Sequence, residues 1–182
     1  MKKIDEFVAE QIAKGKIVVR FNGRMKWGAR ALGNRSILAN PSDKDVVMKI
    51  NEAIKQRDFW MPFAPTLLKE RENDYLVNPK RMNAPYMIIS FDTKEERRKE
   101  LIAALHPSDF TCRLQILEKD WNPSYYRVLK TFEKLTVIGG ILNTSFNLHG
   151  HPIVCSPKDA IFTLKNSQLD GLAIENFYIS KK

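Results

Sequence analysis

The sequence predicts an α/β protein built in layers, with helices covering a sheet. Three observations predict it. Strand-like apolar runs alternate with segments of helical period along the whole chain. Polar, glycine-bearing stretches repeatedly follow the strands, at the edge where open α/β sheets bind ligands. The 182 residues contain no internal repeat, low-complexity stretch or linker, so residues 1–182 are read as one domain with its own core.

Residues 5–14 place Phe7, Val8 and Ile12 at helical spacing, and Gly15 stops the helix. "KIVVRF" reads as a short buried strand. "GRMKWGARALGNRS" (23–36) follows as a basic loop ending on a polar Asn34-Arg35-Ser36 turn. "PSDKDVVMKINEAIKQRD" is a helix capped by Ser42 or Asp43, with Val46, Val47, Ile50 and Ile54 on one face. Pro62 and Pro65 bracket the extended "MPFAPTLL". "PYMIISFD" is a strand and "TKEERRKELIAAL" a helix with a Thr93–Glu96 capping box. "TCRLQIL" is a strand in which Arg113 alternates with apolar neighbours, and "PSYYRVLKTFEKL" a helix opened by Pro123. "TVIGGIL" is a buried strand that empties into the loop "NTSFNLHGHP". "SPKDAIFTLKNS" is a helix capped by Ser156 with Pro157 at its first position, and "GLAIENFYI" a closing strand.

Composition narrows the function classes. No apolar run approaches the roughly 20 residues needed to span a bilayer, and the N-terminus lacks the apolar core of a signal peptide, so a cytoplasmic location is expected. Cys112 and Cys155 have neither metal-ligand spacing nor the number for a disulfide framework, and both are expected to be reduced and buried. His149 and His151, with no third ligand nearby, make a poor zinc site, and no metal site is expected. The net charge of +9 suits an anionic partner, whether nucleotide, RNA, DNA or an acidic protein face, and equally a solvated basic surface.

Three constellations carry chemistry. The basic loop holds Arg24, Lys26, Arg30 and Arg35 with Gly28 and Gly33; arginine forks fit phosphate oxygens, and they equally fit carboxylates at a core edge. Lys55 and Arg57 close a helix, where a cation also suits the helix dipole. Asn143, Thr144, Ser145 and Asn147 form a donor-rich loop able to hold a phosphate or an adenosine, without the spacing of a P-loop. Tyr125, Tyr126 and Phe132 have the spacing of packing residues more than of base-stacking ones.

Taken together, "GRMKWGARALGNRSIL", "NEAIKQRDFWMPFAPTLL" and "LNTSFNLHGHPIV" followed by "PKDAIF" resemble the C-terminal domain of the O-carbamoyltransferases of the nodulation and antibiotic-tailoring type, from about residue 10 to the end. The resemblance implies a YrdC-like fold, a twisted mixed sheet with flanking helices around a basic cavity. It implies binding of ATP with Mg²⁺ and of carbamoyl phosphate, and formation of carbamoyl adenylate. Transfer to an acceptor hydroxyl would belong to a separate, actin-like N-terminal domain carrying iron or a similar metal, linked in cis or as a split subunit, so this chain is expected to be inactive alone. By the same resemblance Lys55, Arg30 and Arg113 are the catalytic cations, Arg113 matching the arginine of the family's "DGTxR" segment. Arg35, Arg57, Asn143, Thr144, Ser145, Asn147 and His149 are the expected nucleotide- and phosphate-binding residues. The chain departs from the family pattern at Lys26, Ala29, Met61 and His151, where Glu, Pro, Arg and Glu are common. A basic RNA-binding module of YrdC-like fold is the alternative, although no RNA-reading motif appears; a structural half that positions a partner domain is the third reading.

Overall fold

The computed structural model describes residues 3–25, 28, 30–56, 58 and 61–181. In chain order the elements are α1 (Ile4–Ala13), β1 (Val18–Phe21), β2 (Arg35–Ala39), α2 (Val46–Ile50), β3 (Ala64–Leu68), α3 (Glu72–Tyr75), β4 (Leu76–Val77), β5 (Ser90–Thr93), α4 (Arg98–Leu101), β6 (Cys112–Arg113), β7 (Gln115–Leu117), α5 (Pro123–Thr136), β8 (Gly140–Ser145), α6 (Pro157–Lys165), β9 (Gly171–Ile174) and β10 (Phe177–Ser180). Among the described residues these strands form a seven-stranded mixed sheet, ordered β10-β9-β1-β2-β8-β3-β7, and a smaller one, β4-β5-β6.

Side chains alternate across the large sheet, as strand geometry requires. Val18, Leu38, Ile141 and Ala173 face the layer made by α1 and α5. Their neighbours Val19, Ile37, Leu142 and Leu172 face the layer made by α2 and α6. α5 opens with Asn122 accepting from the Tyr125 amide, and α6 carries a capping box between Ser156 and Asp159.

Six expectations change. Arg35 and Ser36 are not a turn; they begin β2, paired with Phe21 and Arg20. Asn143, Thr144 and Ser145 are not loop residues but the end of β8, which starts only at Gly140 because Val137 closes α5 in the left-handed region. The strand expected from Pro85 starts at Ser90, after Met87 takes a positive φ of 56°. Thr93 caps no helix, because its hydroxyl donates to the Phe110 carbonyl, and the helix after it is broken into 3₁₀ turns around α4. The closing strand folds into the β9–β10 hairpin at Glu175 (φ 49°). Cys155 is exposed, whereas Cys112 is buried and its thiol is pushed up to about 12.

A charged network sits inside the α1–α5 layer. Arg20, from the apolar run of β1, is 2 % exposed. It donates to Ser124 Oγ at 2.6 Å, to the Gly33 carbonyl and to Asn34 Oδ1. Ser124 donates to Asp5 at 2.7 Å, and Arg127 reaches the same carboxylate. Burial lowers the Arg20 pKa to about 10, with Asp5 opposing the fall. The network therefore ties the last part of the basic loop to both helices.

Gly33 is where that tie is tightest. Its φ is 100°, and a Cβ there would lie 2.3–2.9 Å from three ring atoms of Tyr125. Gly15 also has a positive φ, but a Cβ would meet nothing within 4 Å. Gly33→Ala is therefore expected to cost about 2–4 kcal/mol of stability, from backbone strain plus overpacking, and Gly15→Ala about 1 kcal/mol from strain alone. Urea unfolding of the two variants checks the difference.

Candidate functional site

β8 is antiparallel to both β2 and β3. Its C-terminal end therefore lies beside the beginnings of both neighbours, and the segments leading into those neighbours converge on it. A polar cavity of about 70 Å³ forms there, lined by Arg30, Met87, Arg113, Asn143, Thr144 and Ser145 among others. Arg30 also lines a larger cleft of about 830 Å³, whose apolar wall includes Leu32, Tyr86, Ile88 and Trp121. The two spaces are thus adjacent, one anion-sized with arginines, the other large enough for a planar organic group.

Two cavity residues are held from strands. Arg113, at the end of β6, donates through Nη1 to the carbonyl of Met87, the residue in the left-handed region. Asn143 is buried and donates to the Ala31 carbonyl at 3.1 Å and to Thr66 Oγ1 at 3.0 Å. Thr66 in turn donates to Gln115 Oε1 at 3.1 Å, so a buried polar chain crosses β8, β3 and β7. Among the described residues, Asn143 Oδ1 and the buried Tyr125 hydroxyl have no partner at hydrogen-bonding geometry. Burial pushes the Tyr125 phenol up, while the neighbouring Thr66 and Asn143 side chains and Arg20 pull the other way.

Lys55 enters from the opposite layer. α2 continues as a π-helical turn, Asn51–Lys55, closed by Gln56 at φ 46°. π-turns of this kind recur at functional sites. The Lys55 side chain is buried, and its ammonium donates to Asn147 Oδ1 at 2.7 Å, Ser145 Oγ at 3.2 Å and the Asn147 carbonyl at 3.3 Å. Ser145 donates to the same Asn147 Oδ1, and Asn147 Nδ2 braces its loop through the Leu148 and His151 carbonyls. His149 meets this assembly through the Lys55 backbone, with Nδ1 2.7 Å from the Lys55 carbonyl oxygen.

The sequence-predicted residues divide accordingly. Arg30, Arg113, Asn143, Thr144 and Ser145 share the cavity. Lys55 and Asn147 join it through Ser145. Arg35 does not. It lies on the other face of β2, stacked 3.6 Å over Phe21, and donates to the carbonyls of Asn22, Gly23 and Asn34. It closes the base of the basic loop by pairing with carbonyls instead of phosphates or carboxylates. Arg57 lies outside the described residues. The cleft residues Tyr86, Ile88 and Trp121 had no sequence signal beyond their aromatic or apolar character, and Gln115 only its polar position within an apolar strand.

A carbamoyltransferase C-terminus family model matches residues 9–181. The chain belongs to that family. Among its relatives, the uncharacterized protein MJ1058 of Methanocaldococcus jannaschii is 43 % identical across 100 % of this chain and 29 % of its own length. Nodulation protein NolNO of Sinorhizobium fredii is 39 % identical across 96 % of this chain and 26 % of its own. The chain thus spans about a quarter to a third of the curated relatives it matches. Full-length HypF, solved in a phosphate- and nucleotide-bound form, aligns with a TM-score of 0.67 at 19 % identity over 93 % of this chain and 20 % of HypF. The fold is YrdC-like, the sheet and its helices aligning with solved chains of that architecture. Among the described residues no helix is long and apolar enough to cross a membrane.

Asn147 is the residue on which the Lys55 grip depends. Asn147→Ala removes the shortest acceptor of a buried ammonium, and the loop loses both amide donors. Expected is a loss of about 2–3 kcal/mol, read by urea unfolding; Leu148→Ala, at a half-buried neighbour without a polar side chain, should leave Lys55 in place.

Proposed function

We propose that this domain binds ATP with Mg²⁺ together with carbamoyl phosphate, and forms carbamoyl adenylate as the nucleotide half of a larger carbamoyltransferase. The observation that carries the reading is Arg30, which lines both the small polar cavity and the large apolar-walled cleft. A nucleotide needs that pairing: a cationic place for phosphates beside an apolar wall for a base.

Carbamate, left when carbamoyl phosphate loses its phosphate to water, attacks the α-phosphorus through oxygen. The bond to the bridging oxygen breaks and pyrophosphate leaves with that electron pair. Negative charge grows on the α-phosphoryl oxygens and on the leaving group. The fork of Arg113, bonded to the Met87 carbonyl, and the ammonium of Lys55, bonded to Asn147 and Ser145, are held beforehand by the fold, and Arg30 joins Arg113 on the cavity wall to stabilise that charge. Asn143 and Ser145 give their side-chain hydrogens to Ala31, Thr66 and Asn147, so they shape the third side, where Thr144 adds a hydroxyl. Mg²⁺ would arrive with the nucleotide, held chiefly by the phosphates and water. HypF, with its phosphate- and nucleotide-bound form, supports the ligand class. Transfer to an acceptor hydroxyl is assigned to the remainder of a longer protein, the actin-like domain in cis or as a separate subunit.

Calorimetry of ATP·Mg²⁺ binding tests the reading. Arg30→Ala, Arg113→Ala and Lys55→Met should each weaken binding by roughly 1.5–3 kcal/mol, the range for a charge-assisted hydrogen bond. Lys3→Ala and Lys14→Ala, exposed on the α1 side, serve as controls. Site variants that bind like the controls put the nucleotide elsewhere. Binding to RNA that outcompetes ATP and falls steeply with salt would instead favour the nucleic-acid reading.

A further inference from the structure

The loop after β8 holds Lys55 twice. Its first grip is on the ammonium, through Ser145 and Asn147. Its second is on the backbone. The π-turn ends at Lys55, and Gln56 turns away in the left-handed region after its amide bonds back to the Asn51 carbonyl at 2.8 Å. The carbonyls of Ile54 and Lys55 therefore project beyond the turn. One residue meets both: the His149 amide donates to the Ile54 carbonyl at 3.1 Å, and the His149 ring Nδ1 lies 2.7 Å from the Lys55 carbonyl oxygen. A carbonyl oxygen only accepts, so Nδ1 carries the proton in that contact.

We propose that His149 is a positioning residue for Lys55, acting through an Nδ1–H bond to the Lys55 carbonyl and not as a ligand to phosphate. The bond fixes the backbone from which the Lys55 side chain departs. With the carbonyl held, Asn147 and Ser145 need only to orient the ammonium. Without it, the end of the π-turn loses a cap, and the ammonium's position is set from one end alone. The ring itself is on the exposed side of the loop, so the contact is placed to direct Lys55 with little contribution to the core.

The proposal rests on the nucleotide reading only where affinity is measured, so the test has a second readout. His149→Ala, His149→Asn and His149→Gln are compared with the parent chain. Lys55 exposure is read as its rate of labelling by acetic anhydride, followed by peptide mass spectrometry, and ATP·Mg²⁺ affinity by calorimetry. In His149→Ala, Lys55 should label about 3–10-fold faster and ATP should bind more weakly by a similar factor, the size of one net hydrogen bond. The urea midpoint should stay close to the parent's. Asparagine should restore both readouts, because its amide nitrogen lies where Nδ1 lies. Glutamine, whose amide nitrogen matches the distal ring nitrogen, should not. Parental labelling in His149→Ala overturns the proposal, and so does rescue by glutamine with failure of asparagine, which would assign the distal nitrogen to the anion. If the alanine variant does not fold, the asparagine–glutamine comparison decides alone. If labelling changes as expected while the parent chain itself binds no ATP, the positioning role stands and the nucleotide reading falls.

Discussion

The site depends on the direction of one strand. β8 runs antiparallel to β2 on one side and β3 on the other, so its last residues lie where both neighbours begin. The chain entering β2 brings Arg30 and Ala31, and the chain entering β3 brings Pro62. Had either pairing been parallel, those segments would lie at the far end of the sheet. Because strand residues are held by ladder bonds on both sides, Asn143 and Thr144 line the cavity from a rigid support.

The excess of positive charge is put to three different uses. Arg20 and Arg35 are both buried and both bind backbone carbonyls around the basic loop, Arg20 near its C-terminal end and Arg35 across its base. They shape the loop from within. Arg30 and Arg113 line the cavity that the shaped loop helps to enclose. Lys16, Lys49 and Arg97 pair with Asp or Glu at the surface, where such pairs contribute little to stability. The composition alone cannot separate these uses, because a guanidinium fits a carbonyl pair, a carboxylate and a phosphate equally well.

Much of the architecture was legible because its signals are local. α1 follows from apolar spacing, α5 from Pro123 at its start, α6 from Ser156 and Pro157, and β1 from an unbroken apolar run. The convergence of Arg30, Lys55 and Arg113 was legible only through resemblance, since no local rule brings three such distant segments together. What sequence reasoning lost were cases in which a tertiary contact overrides the local signal. Arg35 and Ser36 looked like the turn that ends a glycine-rich loop, yet they open β2, which pairs on both edges. Thr93 had the pattern of a capping box, yet its hydroxyl is taken by Phe110. Pro85 to Ile89 had strand composition, yet Met87 leaves the extended region and gives its carbonyl to Arg113. The π-turn at Lys55 carries no sequence mark, because its cap comes from His149, ninety-four residues away along the chain.

The central claim is that the small polar cavity holds the phosphates of a nucleotide whose base lies in the adjoining cleft. A crystal structure of the domain with Mg²⁺ and a non-hydrolysable ATP analogue tests it most directly. The account predicts phosphate oxygens within hydrogen-bonding distance of the Arg30 and Arg113 guanidinium groups, with the base against the Trp121 and Tyr86 wall. A nucleotide whose phosphates lie outside the space between those two arginines would contradict it.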